Sequence, residues 1–420
     1  MNCFSACSIR ACRFAILLTL LSLGACGVSD SADRDNEREY NVHFTIAPDP
    51  ATSTVRVELR VRQPSGLLRE LSFPAAESIA DVRGDGQLST DSGLVRWMPS
   101  PTGGSLSWRV AVNNERDQEG YDAYLGREWG VFRLEDVIPR ARTRTLRGAA
   151  SVTTMQFDLP AGWSAISEYS AVTQPIAIDR PGRRYDEPAG WVAVGGVGIR
   201  REEIAGTRVA IAGPEGHGVR RMDMLALLNW ALPELNAILP DALPRLTVIS
   251  AGEPMWRGGL SAPASLFLHA DRPLISENAT SALLHEVMHV ALGLQARDGF
   301  DWIVEGLAEF YSIELLRRGR AITPDRARTA LQWQADWGQR ANKLCGRAST
   351  AATTARAVTV FVALDLELRD KSDGSLDDVL PLIAGKPVDL DILADAVEQI
   401  LGSPPDALHI DTLPGCRKIR

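Results

Sequence analysis

The chain has 420 residues, with 45 Lys and Arg against 53 Asp and Glu and a formal charge of −8. That mildly acidic balance, without a basic cluster, argues against a nucleic-acid partner, whose phosphates demand a concentration of Lys and Arg. The length exceeds one ordinary core and predicts two domains.

Arg10 and Arg13 precede an apolar run from Phe14 to Leu23 that is too short for a stable membrane span. Residues 1–25 therefore read as a secretory signal. The run ends in Leu23-Gly24-Ala25-Cys26, which resembles the bacterial lipobox, where the cysteine is lipidated and becomes the first residue. The alternative is an ordinary signal followed by an incidental cysteine. The lipobox reading predicts a membrane partnership through a lipid anchor at Cys26, in the cell envelope, facing the periplasm or exterior. Loss of the signal takes the formal charge from −8 to −10, because it carries two arginines and no acid. Residues 26–39, with Ser29 to Glu39 reading SDSADRDNERE, form a polar tether too poor in apolar residues to fold alone.

Residues 40–212 predict an N-terminal antiparallel β-sandwich. Val55, Val57, Leu59 and Val61 alternate with Arg56, Glu58, Arg60 and Arg62, and the same period recurs at Leu106–Val112 and Met155–Leu159. Gly and Pro punctuate these runs at short intervals.

Gly213 to Gly218 (GPEGHG) marks a boundary, after which residues 213–420 read as mainly helical with a small sheet. A helical pattern covers Val219 to Leu239, with Pro233 as a potential kink. Leu246–Ser250 and Ser265–His269 read as strands.

Next comes His285-Glu286-Val287-Met288-His289, an H-E-x-x-H sequence in an apolar run that predicts a helix. Residues four apart share a helical face, so both imidazoles can hold one metal ion, with Glu286 placed to take a proton from an attacking water. Two imidazoles, a carboxylate and an open fourth position make a catalytic zinc site. Gly293 ends the helix, Gln295 to Asp301 makes a turn, and a second helix begins at Trp302. On it Glu305 and Glu309 share a face. Glu305 is the expected third ligand and Glu309 the residue that orients a ligand histidine, with Glu309 as the alternative ligand.

Helical patterns follow over Asp325–Lys343, Ala355–Asp370 and Leu390–Leu401. Of six cysteines, Cys3, Cys7, Cys12 and Cys26 lie in the signal or at its end, leaving Cys345 and Cys416. In an oxidising compartment these predict one disulfide; two unpaired thiols are the alternative.

Trp302 to Asp325 (WIVEGLAEFYSIELLRRGRAITPD) resembles the second active-site helix of the glycyl-aminopeptidase-like zinc metallopeptidases, which have W-x-x-E-G-x-x-D-Y-Y and an I-T-P-E-type turn. Leu364 to Val379 (LDLELRDKSDGSLDDV) is similar to that family's C-terminal helical region. Trp129 to Pro139 and Phe157 to Trp163 are similar, more loosely, to its N-terminal domain. The resemblance covers most of residues 215 to 385. It implies the gluzincin clan, a thermolysin-like catalytic domain, zinc on His285, His289 and Glu305, Glu286 as base, and a peptide or protein substrate. Glu309 falls where the family has aspartate.

Two departures stand out. Ser261, in Trp256 to Ala262 (WRGGLSA), occupies the position of a glutamate that binds the substrate's amino group in related aminopeptidases. A hydroxyl makes no charge pair with an ammonium. The family's oxyanion-binding tyrosine, expected within Ser349 to Ala357, is missing, and no tyrosine follows Tyr311. Arg356 and His269 are the candidate replacements. The expected activity is therefore that of an exported zinc peptidase, and the alternative is a catalytically impaired pseudo-peptidase that binds polypeptides or an envelope partner. Mass spectrometry of the mature N-terminus should find a lipidated Cys26, and Cys26→Ser should release or mislocalise the protein; an unmodified N-terminus elsewhere would rule the anchor out.

Overall fold

The computed structural model describes residues 38–116, 119–169, 175–178 and 187–416, so Cys26 and the expected signal lie outside the described residues. The N-terminal region runs through β1 (Glu39–Asp49), β2 (Thr54–Arg62), β3 (Leu68–Pro74), β4 (Leu94–Met98), β5 (Gly103–Ala111), β6 (Trp129–Arg133), β7 (Ala150–Phe157) and β8 (Trp191–Gly195), with shorter strands between. In β1 and β2 every second side chain is buried, because successive residues of a strand point to opposite faces. Their antiparallel register sets Phe44 opposite Leu59 and Ile46 opposite Val57.

A six-stranded sheet has β7–β1–β2–β5 at its centre, and a four-stranded sheet is built on β3 and β4. Tyr40, Phe44, Leu59, Phe73, Trp97 and Trp108 belong to the core they share. Pairing in these sheets is antiparallel except between β1 and β7, which run parallel with Phe44 opposite Met155. The long stretch of chain between those two strands meets the crossover length that parallel pairing needs.

A third sheet pairs β6 with β8, Val131 opposite Ala193, and is apolar on both faces. Phe132, Val192 and Val194 join the sandwich core, while Trp129, Val131, Trp191 and Ala193 pack with Ala210, Ala212, Ile249 and Phe267 of the sheet beyond. Those partners belong to a five-stranded sheet of β9 (Val197–Ile204), β10 (Thr207–Pro214), β11 (Arg245–Ala251), β12 (Gly259–Ala262) and β13 (Ser265–His269). Its order is β9–β10–β11–β13–β12, which leaves β12 at an edge. The division expected after residue 212 falls inside β10, which pairs with β9 before it and, in parallel, with β11 beyond it. A strand's apolar pattern does not say which sheet receives it.

Seven helices complete the second region: α1 (Arg221–Ile238), α2 (Ala282–Leu292), α3 (Asp301–Arg318), α4 (Pro324–Gly338), α5 (Ala351–Lys371), α6 (Leu376–Ile383) and α7 (Leu390–Leu401). α1 runs through Pro233 without ending. The fold is therefore α+β, a β-rich region followed by a mainly helical one with a small sheet. No helix among the described residues is long and apolar enough to cross a membrane.

Cys345 and Cys416 are joined by a disulfide across 71 residues, which fastens the end of the described chain to the segment between α4 and α5. Closing a loop of that length removes about 4 kcal/mol of chain entropy from the unfolded state. Cys345→Ser with Cys416→Ser should lower the unfolding temperature by several degrees, and non-reducing peptide mapping of the purified protein should recover the joined peptides. Two alkylatable thiols in the folded protein would contradict this.

Candidate metal centre

Helix α2 is fixed at both ends. The Ser281 side chain accepts a hydrogen bond from the Leu284 N–H at 3.3 Å, and the helix stops at Gly293 in the left-handed region. Leu283, Leu284, Val287, Met288 and Leu292 are buried and set its rotation. With that face committed to the core, His285 and His289 turn toward α3, and Glu286 toward β12.

On α3, Trp302, Ile303 and Leu307 are fully buried, which turns Glu305 and Glu309 to α2. His285 Nε2 lies 3.3 Å from Glu305 Oε2, His289 Nε2 lies 3.4 Å from Glu305 Oε1, and the two Nε2 atoms are 3.0 Å apart. A tetrahedral zinc with bonds of about 2.0–2.1 Å sets its ligand atoms about 3.4 Å from one another. The spacings are near that value, with each imidazole meeting a different oxygen of Glu305, and His285, His289 and Glu305 are the described residues whose donor atoms cluster closely enough to hold one ion.

Glu309 takes the other side of the ring: its Oε2 is 3.1 Å from His285 Nδ1. When His285 carries a single proton, on Nδ1 and donated to Glu309, Nε2 is left with the lone pair that a metal needs. Glu309 is itself held by Gln334 of α4, whose Nε2 donates to Oε1 at 2.9 Å. Gln334 is buried, and nothing in the sequence singled it out, since it stands between the exposed Trp333 and the half-buried Ala335.

The charges are arranged for a cation. Burial opposes the His285 imidazolium, yet hydrogen bonds to Glu305 and Glu309 outweigh it and push the group up to about 10. Burial, followed by the charge on His285, pushes His289 down to about 4. Burial also raises Glu305, but His285 and His289 together hold it below its ordinary value. Glu286 is pushed up to about 7, chiefly by burial, against the pull of His285 and of Ser261.

Two close approaches shape the surroundings. A Cβ on Gly259 of β12 would stand 2.8 Å from Glu286 Oε1, so a larger residue there would push that carboxylate aside. A Cβ on Gly306 would stand 2.5 Å from Ala357 Cβ and 2.8 Å from the Phe361 ring, so the glycine after Glu305 is where α5 lies against α3. Trp302 meets Phe361 one turn away, making the two helices antiparallel. Thr353 and Thr354 therefore lie toward the Glu309 end of α3.

Neither candidate replacement for the tyrosine serves the cluster. Arg356 donates to the Ala341 carbonyl at 2.7 Å. His269 is fully buried on the face of β13 shared with Phe267, against the third sheet, and its Nδ1 accepts from the Asp271 N–H. Ser261 lies on β12 beside Glu286.

No protein-family model matches the chain, and no curated protein matches it. Among solved structures, the crystal structure of an aminopeptidase N family protein from Idiomarina loihiensis is similar over 90% of this chain and 74% of that one, with a TM-score of 0.62 and 15% identity. At that identity the likeness is one of fold: both chains share the aminopeptidase-N-like order of a β-rich region followed by a mainly helical one. Within it, this chain carries its own His-His-Glu cluster.

Gln334→Leu should weaken zinc binding about 10–100-fold, because Glu309 loses the donor that aims it at His285. Competition with a chromogenic chelator measures this; an unchanged affinity would show that Glu309 holds His285 without help.

Proposed function

We propose that this protein is an exported zinc-dependent peptidase of the gluzincin type, anchored to the cell envelope through a lipid on Cys26. The observation that carries the reading is the set of three donor atoms spaced for a tetrahedral ion, beside a buried carboxylate that is not one of them. Zinc held there would act as a Lewis acid, polarising the scissile carbonyl and acidifying the attacking water.

The remaining work falls to the chain. His285, His289 and Glu305 hold the metal, and Glu309 with Gln334 fixes the tautomer and angle of His285. Glu286, pushed up to about 7 by burial, takes a proton from the attacking water near neutral pH and delivers it to the leaving amine. The outer edge of β12, where the Ser261 N–H already donates to Glu286, would offer its remaining backbone groups to an extended polypeptide. Ser261 on that strand carries no charge for an ammonium, which favours cleavage within a chain over trimming from its end. Loss of one oxyanion donor costs roughly 10²–10³ in rate, so turnover is slow.

The engagement of Arg356 and His269 elsewhere favours a second reading, in which the same cleft binds polypeptides without cutting them. Incubating the zinc-loaded protein with a diverse peptide library separates the two. The native chain should cleave, Glu286→Gln should retain zinc and lose roughly 10²–10⁴ in rate, and His289→Ala should lose the metal. Cleavage that is the same in native and Glu286→Gln protein, or absent from both, would select the binding reading. Capture of intact peptides by both would support it directly.

A further inference from the structure

Helix α4 carries an aromatic surface that the reaction leaves unused. Trp333 is 40% exposed, and its ring stacks on that of Trp337 with centroids 5.6 Å apart and planes within 5°. Arg340 lies over Trp337, 4.1 Å from its centroid. Trp337 is thus covered by Trp333 and Arg340, and the open aromatic face is that of Trp333. Isolated exposed apolar residues are ordinary on protein surfaces, as with Trp230 on α1. A stacked pair held at one angle, on the helix whose Gln334 reaches Glu309, is not.

Its position follows from the helix. Arg326, Ala330, Trp333 and Trp337 recur at intervals of four, three and four, and so form one stripe along α4. At one end Arg326 donates to the Ser276 carbonyl, in the loop that leads into α2. Further along, the neighbouring Gln334 is bound to Glu309, the partner of His285. The stripe therefore runs from the approach to the H-E-x-x-H helix to the level of the metal cluster. A polypeptide paired with β12 would turn alternate side chains toward the helical floor of the cleft.

We propose that Trp333 and Trp337 form a subsite for an aromatic or large aliphatic side chain of the polypeptide that crosses the metal centre, a proposal that rests on the peptidase reading. Two rings already stacked lose little freedom on binding, and Trp333 offers a broad flat contact to such a side chain.

The test uses peptides that carry Ala, Leu, Phe or Trp at single positions around the cleaved bond. In the native zinc protein, Phe or Trp at one position should raise kcat/KM about tenfold over Ala. Trp333→Ala, and separately Trp333→Ala with Trp337→Ala, should bring that ratio toward one while zinc content stays at one per chain. Trp230→Ala should keep the ratio. A ratio near one in the native protein, or one preserved in both variants, overturns the subsite. The affinity of Glu286→Gln for the same peptides separates this result from failure of the peptidase reading. Selective binding that depends on Trp333, without cleavage by the native protein, removes the peptidase and keeps the subsite. Cleavage without selectivity does the reverse. Trp333-dependent binding of an N-acetylglucosamine tetramer, with no discrimination among peptides, overturns the proposal in favour of a carbohydrate partner.

Discussion

The antiparallel crossing of α2 and α3 is the constraint on which the site depends. One helix contributes His285 and His289, the other Glu305 and Glu309, and each pair is spaced by a single turn. Only when the helices run in opposite directions at close range do His285 and Glu309 meet while His289 reaches Glu305. Two neutral or singly charged imidazoles among carboxylates, largely removed from water, are costly unless each has a partner. The crossing supplies those partners, and the surrounding chain holds the crossing. Gly306 lets α5 press on the back of α3, and Gly259 lets β12 close over Glu286.

The support extends beyond the helices. The sheet carrying β12 is backed by β6 and β8, which are apolar on both faces and join the second region to the N-terminal sandwich. The sandwich supplies none of the clustered donors, yet it buries one face of the β6–β8 sheet, whose other face covers the sheet whose edge borders Glu286. Residues as remote in sequence as Trp191 and Leu260 are tied directly, the indole N–H donating to the Leu260 carbonyl at 2.9 Å.

Much of the site was legible because helical periodicity acts over short distances. His285, Glu286 and His289 share one run, and Glu305 and Glu309 another, so their faces follow from pitch alone once both runs are read as helices. Gln334 was not legible: its role exists only where α4 touches α3, and a buried glutamine resembles any other on a polar helix. β6 and β8 lack the alternation by which strands are recognised, because both of their faces are covered. That residue 212 lies within a strand was hidden for a related reason, since β10 is paired with β11 beyond it. Helix α6 shows helical spacing in Leu376, Val379, Leu380 and Ile383, but it is only eight residues long and contains Pro381, which by themselves speak against a helix. The absent tyrosine was plain from composition, whereas the commitment of Arg356 and His269 to other partners required coordinates.

The edge strand that borders Glu286 is only four residues long. A chain that lies along it has to present a matching stretch of backbone whose own N–H and C=O groups are still unspent. Native helices have already committed theirs, and so have interior strands. Used as proposed, such a rail would screen its guests by folding state before reading a single side chain, admitting nascent, damaged or inherently loose segments and passing over intact domains.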